Sequence, residues 1–492
     1  MADAAIVGSG PNGLAAAVTL ARAGLRVAVY EAADDIGGGL RTQPLFDPEI
    51  PHDICSAVHP MAPASRFFRA FGLAARGVEL LTPEVSYAHP LDGGRAALAH
   101  RDLETTCAGL GPDGERWRRL MAPLVRHSEG VVDFILSGQR ALPRDPVAPL
   151  LLATRILVHG TGLGAARFTG AAAPALLTGV AAHAVGELPS LAGGAVAALL
   201  GHLAHGPGWP LPRGGSARIA EAMVDDITAH GGTFHTGCAI GDLGDLGDLS
   251  DLGELGGYRA VLLDTGVPGL LDIAGRALPD RYARALRRFR YGPAAAKADF
   301  LVSEPIPWAD PAVGRAGTVH LGGTHAELVR EENRTARGVR SRAPFVLLVD
   351  PAVTDPERAR GGRRPVWAYA HMPNGDDTDP VELIRARIET YAPGFGDTVL
   401  AARGMSGRDL ERYDPNDVGG DIGSGAMTIR QSLARPVPRL DPYRTPLPGL
   451  FLCSSATPPG PGVHGMCGYL AALSALRHVF GIRKAPPLAP VA

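Results

Sequence analysis

Apolar and polar positions along this chain follow two periods, and Gly or Pro marks most of the changes between them. Ala4-Ala5-Ile6-Val7 is an unbroken apolar run, the pattern of a short strand buried on both faces. Leu14 to Ala23 is apolar at helical spacing, and Gly24 ends it. Arg26-Val27-Ala28-Val29-Tyr30 follows as a second strand, closed by Glu31. Farther on, the turn Pro212-Arg213-Gly214-Gly215-Ser216 precedes a helix with Ile219, Met223 and Ile227 on one face, and Gly231-Gly232-Thr233-Phe234 returns as a strand. Ala260 to Thr265, Phe345 to Val349, Val366 to His371 and Leu450 to Leu452 also read as strands. Val147 to Leu203 is rich in Ala, Leu and Gly and predicts helices, and Tyr469 to Leu476 predicts a small-residue helix. Gly241 to Gly257 fits neither period. An acid followed by Leu recurs there every third residue, which predicts a solvated loop.

The link between the first strand and helix carries chemistry. Gly8-Ser9-Gly10-Pro11-Asn12-Gly13 is a G-x-G-x-x-G run in its strand–helix–strand setting. The first glycine permits the tight turn, the second admits a pyrophosphate, and the third lets helix and strand approach. The helix N-terminus then offers free N–H groups to phosphate. Glu31, at the end of the second strand, suits ribose hydroxyls and would repel a 2′-phosphate. A similar run, Gly160-Thr161-Gly162-Leu163-Gly164-Ala165, lacks a second strand and is not expected to bind a nucleotide.

The segment from Ala5 to Thr42, which includes Gly37-Gly38-Gly39-Leu40-Arg41-Thr42, resembles the FAD-binding N-terminus of the phytoene desaturase and amine oxidase superfamily of flavoproteins. The Pro212–Ser216 turn fits the same family. So does the C-terminal run Pro448 to Thr457, which leads into Gly462-Val463-His464-Gly465-Met466-Cys467-Gly468. Pro415-Asn416 and Gly419-Gly420-Asp421-Ile422 resemble the desaturase-like branch that includes the pyridine nucleotide-disulfide oxidoreductase domain-containing protein 2 type. One departure is Cys453-Ser454-Ser455-Ala456-Thr457, where the family has G-A/D-x-T. The resemblance implies FAD as cofactor, held by Gly8, Gly10, Pro11, Asn12, Gly13, Glu31, Gly38, Gly39, Arg41, Thr42, Cys238, Ser455, Val463, His464, Gly465 and Met466. It also implies an α/β chain with a Rossmann-like FAD domain of the glutathione reductase type, assembled from discontinuous segments. Those segments are 1–80, 210–290 and 411–492. An inserted α+β substrate domain, residues 81–209 and 291–410, supplies a helical cap and a mixed sheet, with Trp367 and Tyr369 expected in its core.

Composition narrows the partners. The chain has 492 residues, 46% hydrophobic and 20% charged, as expected for two globular domains. A net charge of −2 leaves no basic stripe, so no nucleic-acid partner is expected. Five scattered cysteines without C-x-x-C predict neither a disulfide framework nor a metal centre, and suit a cytoplasmic protein. The first strand begins too early for a signal peptide, and no apolar run is long enough to span a bilayer. The Ala/Leu-rich cap could line an apolar tunnel or touch a membrane surface. The expected activity is oxidation of a small, apolar or mid-sized molecule by hydride transfer to flavin. His464 is the candidate catalytic base, in a turn expected over the ring. A flavin amine oxidase and an isomerase using reduced FAD remain alternatives.

Overall fold

The computed structural model describes residues 2–138, 142–243 and 257–490. Strand Ala4–Val7 lies at the centre of a parallel sheet ordered Leu450–Leu452, Ala260–Leu263, Ala4–Val7, Val27–Tyr30, Thr233–His235. Its alternate residues feed two cores. Ala4 and Ile6 pack with Leu14 and Val18 of the helix Pro11–Arg22, while Ala5 and Val7 pack with Val267 and Leu270 on the other face. Cover on both faces explains why Ala4–Val7, Ala260–Leu263 and Leu450–Leu452 are uniformly apolar. Pro11–Arg22 also packs against Met466–His478 and Ala217–Ala229, so three segments distant in sequence share one layer.

The second sheet is mixed, ordered Val399–Met405, Ala294–Val302, Arg364–Met372, Val346–Val349, Ala316–Leu321, Val85–Leu91, Arg95–His100. Its neighbours are antiparallel except Ala316–Leu321 with Val85–Leu91, a parallel seam joining the two stretches expected to form the substrate domain. The hairpin Val85–His100 corrects the expectation that the first of these stretches is helical. Its turn is Asp92-Gly93-Gly94, with both glycines at positive φ (77° and 65°). An acid followed by glycines between apolar runs is a hairpin signal. One face of this sheet packs Phe300, Val366 and Leu321 on Ile384, Ile388 and Phe395. The other face carries Leu347, Val349, Trp367 and Tyr369 toward the parallel-sheet side.

Helices between Leu103 and Ala204 cover that side. Ile156 to Val158 lies inside helix Val147–His159, so no strand precedes Gly160 and the second glycine run has no βαβ setting. The period-three repeat falls largely on 244–256, outside the described residues.

Asp53 ties the segments at Thr42 and Ser216 to Arg358, in the turn before strand Arg364–Met372. Its Oδ1 accepts from Thr42 Oγ1 (2.7 Å) and from Ser216 N–H (2.8 Å), and its Oδ2 accepts from Arg358 Nη1 (3.1 Å). Asp53 and Arg358 are both buried. Burial alone would raise the Asp53 pKa, but the Arg358 charge and the N–H and hydroxyl donors hold it below the ordinary value.

Candidate functional site

The glycine turn at the head of helix Pro11–Arg22 is forced by close backbone packing. Gly8 has φ +97°, and a Cβ there would lie 2.8 Å from the Asp264 carbonyl oxygen. A Cβ on Gly13 would collide with the Gly8 carbonyl. A Cβ on Gly10 would lie 2.7 Å from Asp264 Oδ2, so the lack of a side chain at Gly10 also makes room for a carboxyl group. The second glycine turn touches the first: at Gly38, φ +53°, a Cβ would lie 2.9 Å from Gly10 Cα.

Asp264, at the end of strand Ala260–Leu263, completes this turn and was missed in the sequence. Its Oδ2 accepts from Gly13 N–H at 2.7 Å. Burial, with the nearby Asp414 and Glu31 charges, outweighs that donor and pushes its pKa up to about 8. A lone acid at a strand end carries no local signal of such a position.

Glu31 is occupied by protein donors. Its Oε2 accepts from Ser9 N–H (3.0 Å) and Ser9 Oγ (2.5 Å), and its Oε1 from Ala33 N–H (2.9 Å), with Arg41 Nη2 at 3.2 Å. A carboxylate has about four acceptor sites, so a ribose would have to share them. Arg41 also donates to the Asp35 carbonyl, and Thr42 Oγ1 accepts from Ala217 N–H while donating to Asp53. Cys238 contributes main chain, its N–H donating to the Glu31 carbonyl at 2.8 Å. These four residues brace the turn from behind.

Gly10, Pro11, Asn12, Gly39, Ser455 and Val463 instead line one cavity of about 690 Å³. Asn12 Nδ2 donates to Ser455 Oγ at 3.4 Å, and its buried Oδ1 has no partner among the described residues. An unbroken wall of glycines and small residues with an orphaned amide oxygen fits a dinucleotide laid along it.

His464 lies outside that wall. It is fully buried, its Nε2 donates to the Gly460 carbonyl (3.1 Å), and its Nδ1 accepts from Met466 N–H (3.0 Å). Burial pushes its pKa down to about 4. Both ring nitrogens are therefore committed to the turn, whose next residue, Gly465, has φ +67° and leaves no room for a Cβ beside Phe67. That geometry fits a histidine that shapes backbone, and a free base is not what the turn presents.

The same cavity continues into the mixed sheet. Trp367 and Tyr369, buried in the core as expected, also line it. They meet edge-on, with ring centroids 5.4 Å apart. Lys297 lines the cavity between them and the glycine turns, paired with Asp299 at 2.5 Å. It is one of only two lysines in the chain, set in an apolar strand, and that rarity was a readable signal. Cys55, His59 and His183 also reach the wall. Burial pushes the Cys55 thiol up, and His59 Nε2 donates to Ser216 Oγ at 2.8 Å. Among the described residues no group of three or more His, Cys, Asp or Glu could hold a metal ion.

The family profile of NAD(P)-binding Rossmann-like domains matches residues 6–71. Pyridine nucleotide-disulfide oxidoreductase domain-containing protein 2 of Rattus norvegicus is 25% identical over 96% of this chain and 92% of its own length. The chain is a homologue of that protein. Its N-terminal segment is a Rossmann-like dinucleotide-binding unit. Two solved structures share the fold at low identity. An oxidoreductase from Methanosarcina mazei has TM-score 0.58 and 15% identity, covering 96% of this chain and 99% of its own. Cyclohexylamine oxidase from Brevibacterium oxydans has TM-score 0.56 and 15% identity, covering 98% of each chain.

Proposed function

We propose that this protein is an FAD-dependent dehydrogenase or oxidase, desaturase-like, acting on an apolar or mid-sized organic molecule. The observation that carries this reading is the single cavity whose wall passes from Gly10-Pro11-Asn12 and Ser455 to Trp367, Tyr369 and a lining of leucines and valines. Cofactor and substrate positions are thereby in one enclosure, as hydride transfer requires. FAD, when bound, would supply the hydride acceptor. The chain's own part is to hold it and exclude water. The glycine turns give close backbone approach, the N-terminus of helix Pro11–Arg22 offers its dipole to phosphate, and Gly462-Val463 bring the C-terminal helix to the same wall. The aromatic and aliphatic lining orients an apolar substrate.

A membrane-facing mouth fits such a substrate. Phe134 (41% exposed) and Leu433 (66%) belong to the cavity wall, and Leu150 and Leu157 stand exposed on the helix that contributes Leu152 and Ile156 to it. We read this rim as a peripheral contact that lets an apolar molecule enter from lipid. Among the described residues no helix is long and apolar enough to cross a membrane. All five cysteines are free thiols, which suits the cytoplasm.

The amine oxidase reading draws on the aromatic pair Trp367–Tyr369 in the wall. Tyr469, the aromatic of the C-terminal helix, packs on Phe67 outside the cavity wall. Anaerobic mixing of the purified protein with panels of apolar amines and of unsaturated or cyclic hydrocarbons and ketones separates the readings. Bleaching of the flavin by hydrocarbons or ketones supports the dehydrogenase, and bleaching by amines alone replaces it with the amine oxidase.

A further inference from the structure

His183 is the one imidazole in the cavity wall that is backed by another imidazole. Its Nε2 lies 2.9 Å from Nε2 of His320, a fully buried residue of strand Ala316–Leu321. Burial pushes the pKa of His183 down to about 3 and that of His320 well below the ordinary value, so both rings are neutral. Between two neutral rings one nitrogen donates and the other accepts, and the surroundings of His320 decide which.

The deciding neighbour is His89. Its Nε2 is 2.7 Å from the Gly323 carbonyl oxygen, which can only accept, so Nε2 carries the proton and Nδ1 is a lone pair. A Cβ on Gly179 would lie 2.7 Å from that Nδ1 and 2.9 Å from Nδ1 of His320. Both nitrogens therefore abut the same methylene, which can neither donate nor accept. Neither has a hydrogen-bond partner among the described residues, and the hydroxyl of Tyr87, whose ring packs beside His320, has none either. A proton on Nδ1 of His320 would be an orphaned buried donor, the more costly of the two ways to leave that nitrogen unpaired. The proton belongs on Nε2, donating to Nε2 of His183. A neutral His183 must then carry its own proton on Nδ1, for which the described residues offer no acceptor.

We propose that His183 is a fixed N–H donor in the cavity wall, its tautomer set by His320, and that it selects neutral apolar molecules bearing one hydrogen-bond acceptor, such as a carbonyl oxygen. Trp209 stands beside it, ring centroids 5.4 Å apart, and Leu199, Leu200 and Val196 line the same cavity, which gives it an apolar ligand shape. An unsatisfied donor in such a pocket discriminates strongly between a ligand that completes it and one that does not. The inference rests on the reading of the cavity as a substrate site, and it does not depend on the redox partner.

The test uses the holoenzyme and two probes of equal shape, 2-undecanone and 2-methyl-1-undecene, titrated by the emission of Trp209 and Trp367. The ketone is expected to bind about tenfold more tightly, the worth of one completed hydrogen bond. In His183→Phe the preference should vanish while the alkene still binds. In His320→Phe it should weaken, and His320→Gln, whose amide N–H can still donate to His183, should restore it. Independently, the ring signals of 15N-histidine-labelled protein should show His183 as the Nδ1–H tautomer. Equal affinities in the native protein, a preference that survives His183→Phe, or an Nε2–H tautomer at His183 would each overturn the proposal. Binding of neither probe would overturn both it and the substrate-cavity reading. A protein that binds the ketone preferentially yet carries no flavin would keep this proposal and sink the cofactor assignment.

Discussion

The parallel sheet and the mixed sheet form their shares of the cavity from different materials. At the parallel sheet the wall is mostly main chain, lined by Gly10 and Gly39; behind it Gly8, Gly10, Gly13 and Gly38 hold the two turns so close that a Cβ at any of them would meet an atom within 3 Å. At the mixed sheet the wall is side chain, with Trp367, Tyr369 and Lys297 standing on strands whose hydrogen bonding is ordinary. A wall of backbone can hold only a ligand of one shape and tolerates almost no substitution. A wall of side chains can be resurfaced without moving the sheet. The difference teaches that, on the proposed reading, cofactor choice is set by local sequence and substrate choice by residues that meet only after folding.

The largest effect should come from breaking the backbone wall. Gly13→Val drives a side chain into the Gly8 carbonyl. It should remove all bound flavin, read as the absorbance of the purified protein. The matching change on the other wall, Trp367→Leu, should leave flavin content near normal. Equal flavin loss in both variants would erase the contrast.

The buried Asp53–Arg358 pair comes next. Asp53→Ala leaves the buried Arg358 guanidinium without its carboxylate, which should cost about 3–5 kcal/mol in chemical unfolding. The Asp53 pKa is lowered in the folded protein, so its stabilisation is present above the unfolded carboxylate value and is lost as pH falls through the folded one. Acid sensitivity that is unchanged in Asp53→Asn would show that its source lies elsewhere.

His464→Ala tests whether the C-terminal turn belongs with the backbone wall. Losing both bonds to the turn should lower stability by about 1–3 kcal/mol. Stopped-flow reduction, normalised to bound flavin, should stay close to native. A fall of about 100-fold or more at full flavin content would make His464 a base after all.

The last effect concerns Asp264, and its sign opposes that of Asp53. Its folded pKa is raised to about 8, so the folded protein holds a proton that the unfolded chain has lost. Stability should therefore decline as pH rises from about 4, the unfolded carboxylate value, toward 8. Asp264→Asn should flatten that decline. An unaltered slope would remove Asp264 from the account.

Legibility in the sequence followed the same divide. The run Gly8 to Gly13, the Pro212–Ser216 turn and the Gly462–Gly468 run are each contiguous, because a tight backbone turn needs its glycines at fixed offsets. The strands and helices around them were readable for the same reason. Asp264 was not, since its partner Gly13 is far away in sequence and only the sheet register Val7 to Leu263 brings them together. His183 and His320 likewise come from a helical turn and a strand with no shared pattern. Trp367 and Tyr369 read as core and are core, but their share in the cavity wall was not legible because a wall and a core ask for the same side chains. The hairpin at Val85 was readable from Asp92-Gly93-Gly94 and was obscured by the helical composition that follows it.

Binding of FAD at the glycine wall is what the proposed function stands on. The most direct measurement is the absorbance spectrum of the purified protein, followed by mass spectrometry of whatever small molecule denaturation releases. The account predicts oxidised-flavin bands and release of FAD in roughly one-to-one ratio with the chain, the number set by one fingerprint per chain. A colourless protein that takes up no added FAD, or one that releases a nicotinamide dinucleotide in its place, would contradict it.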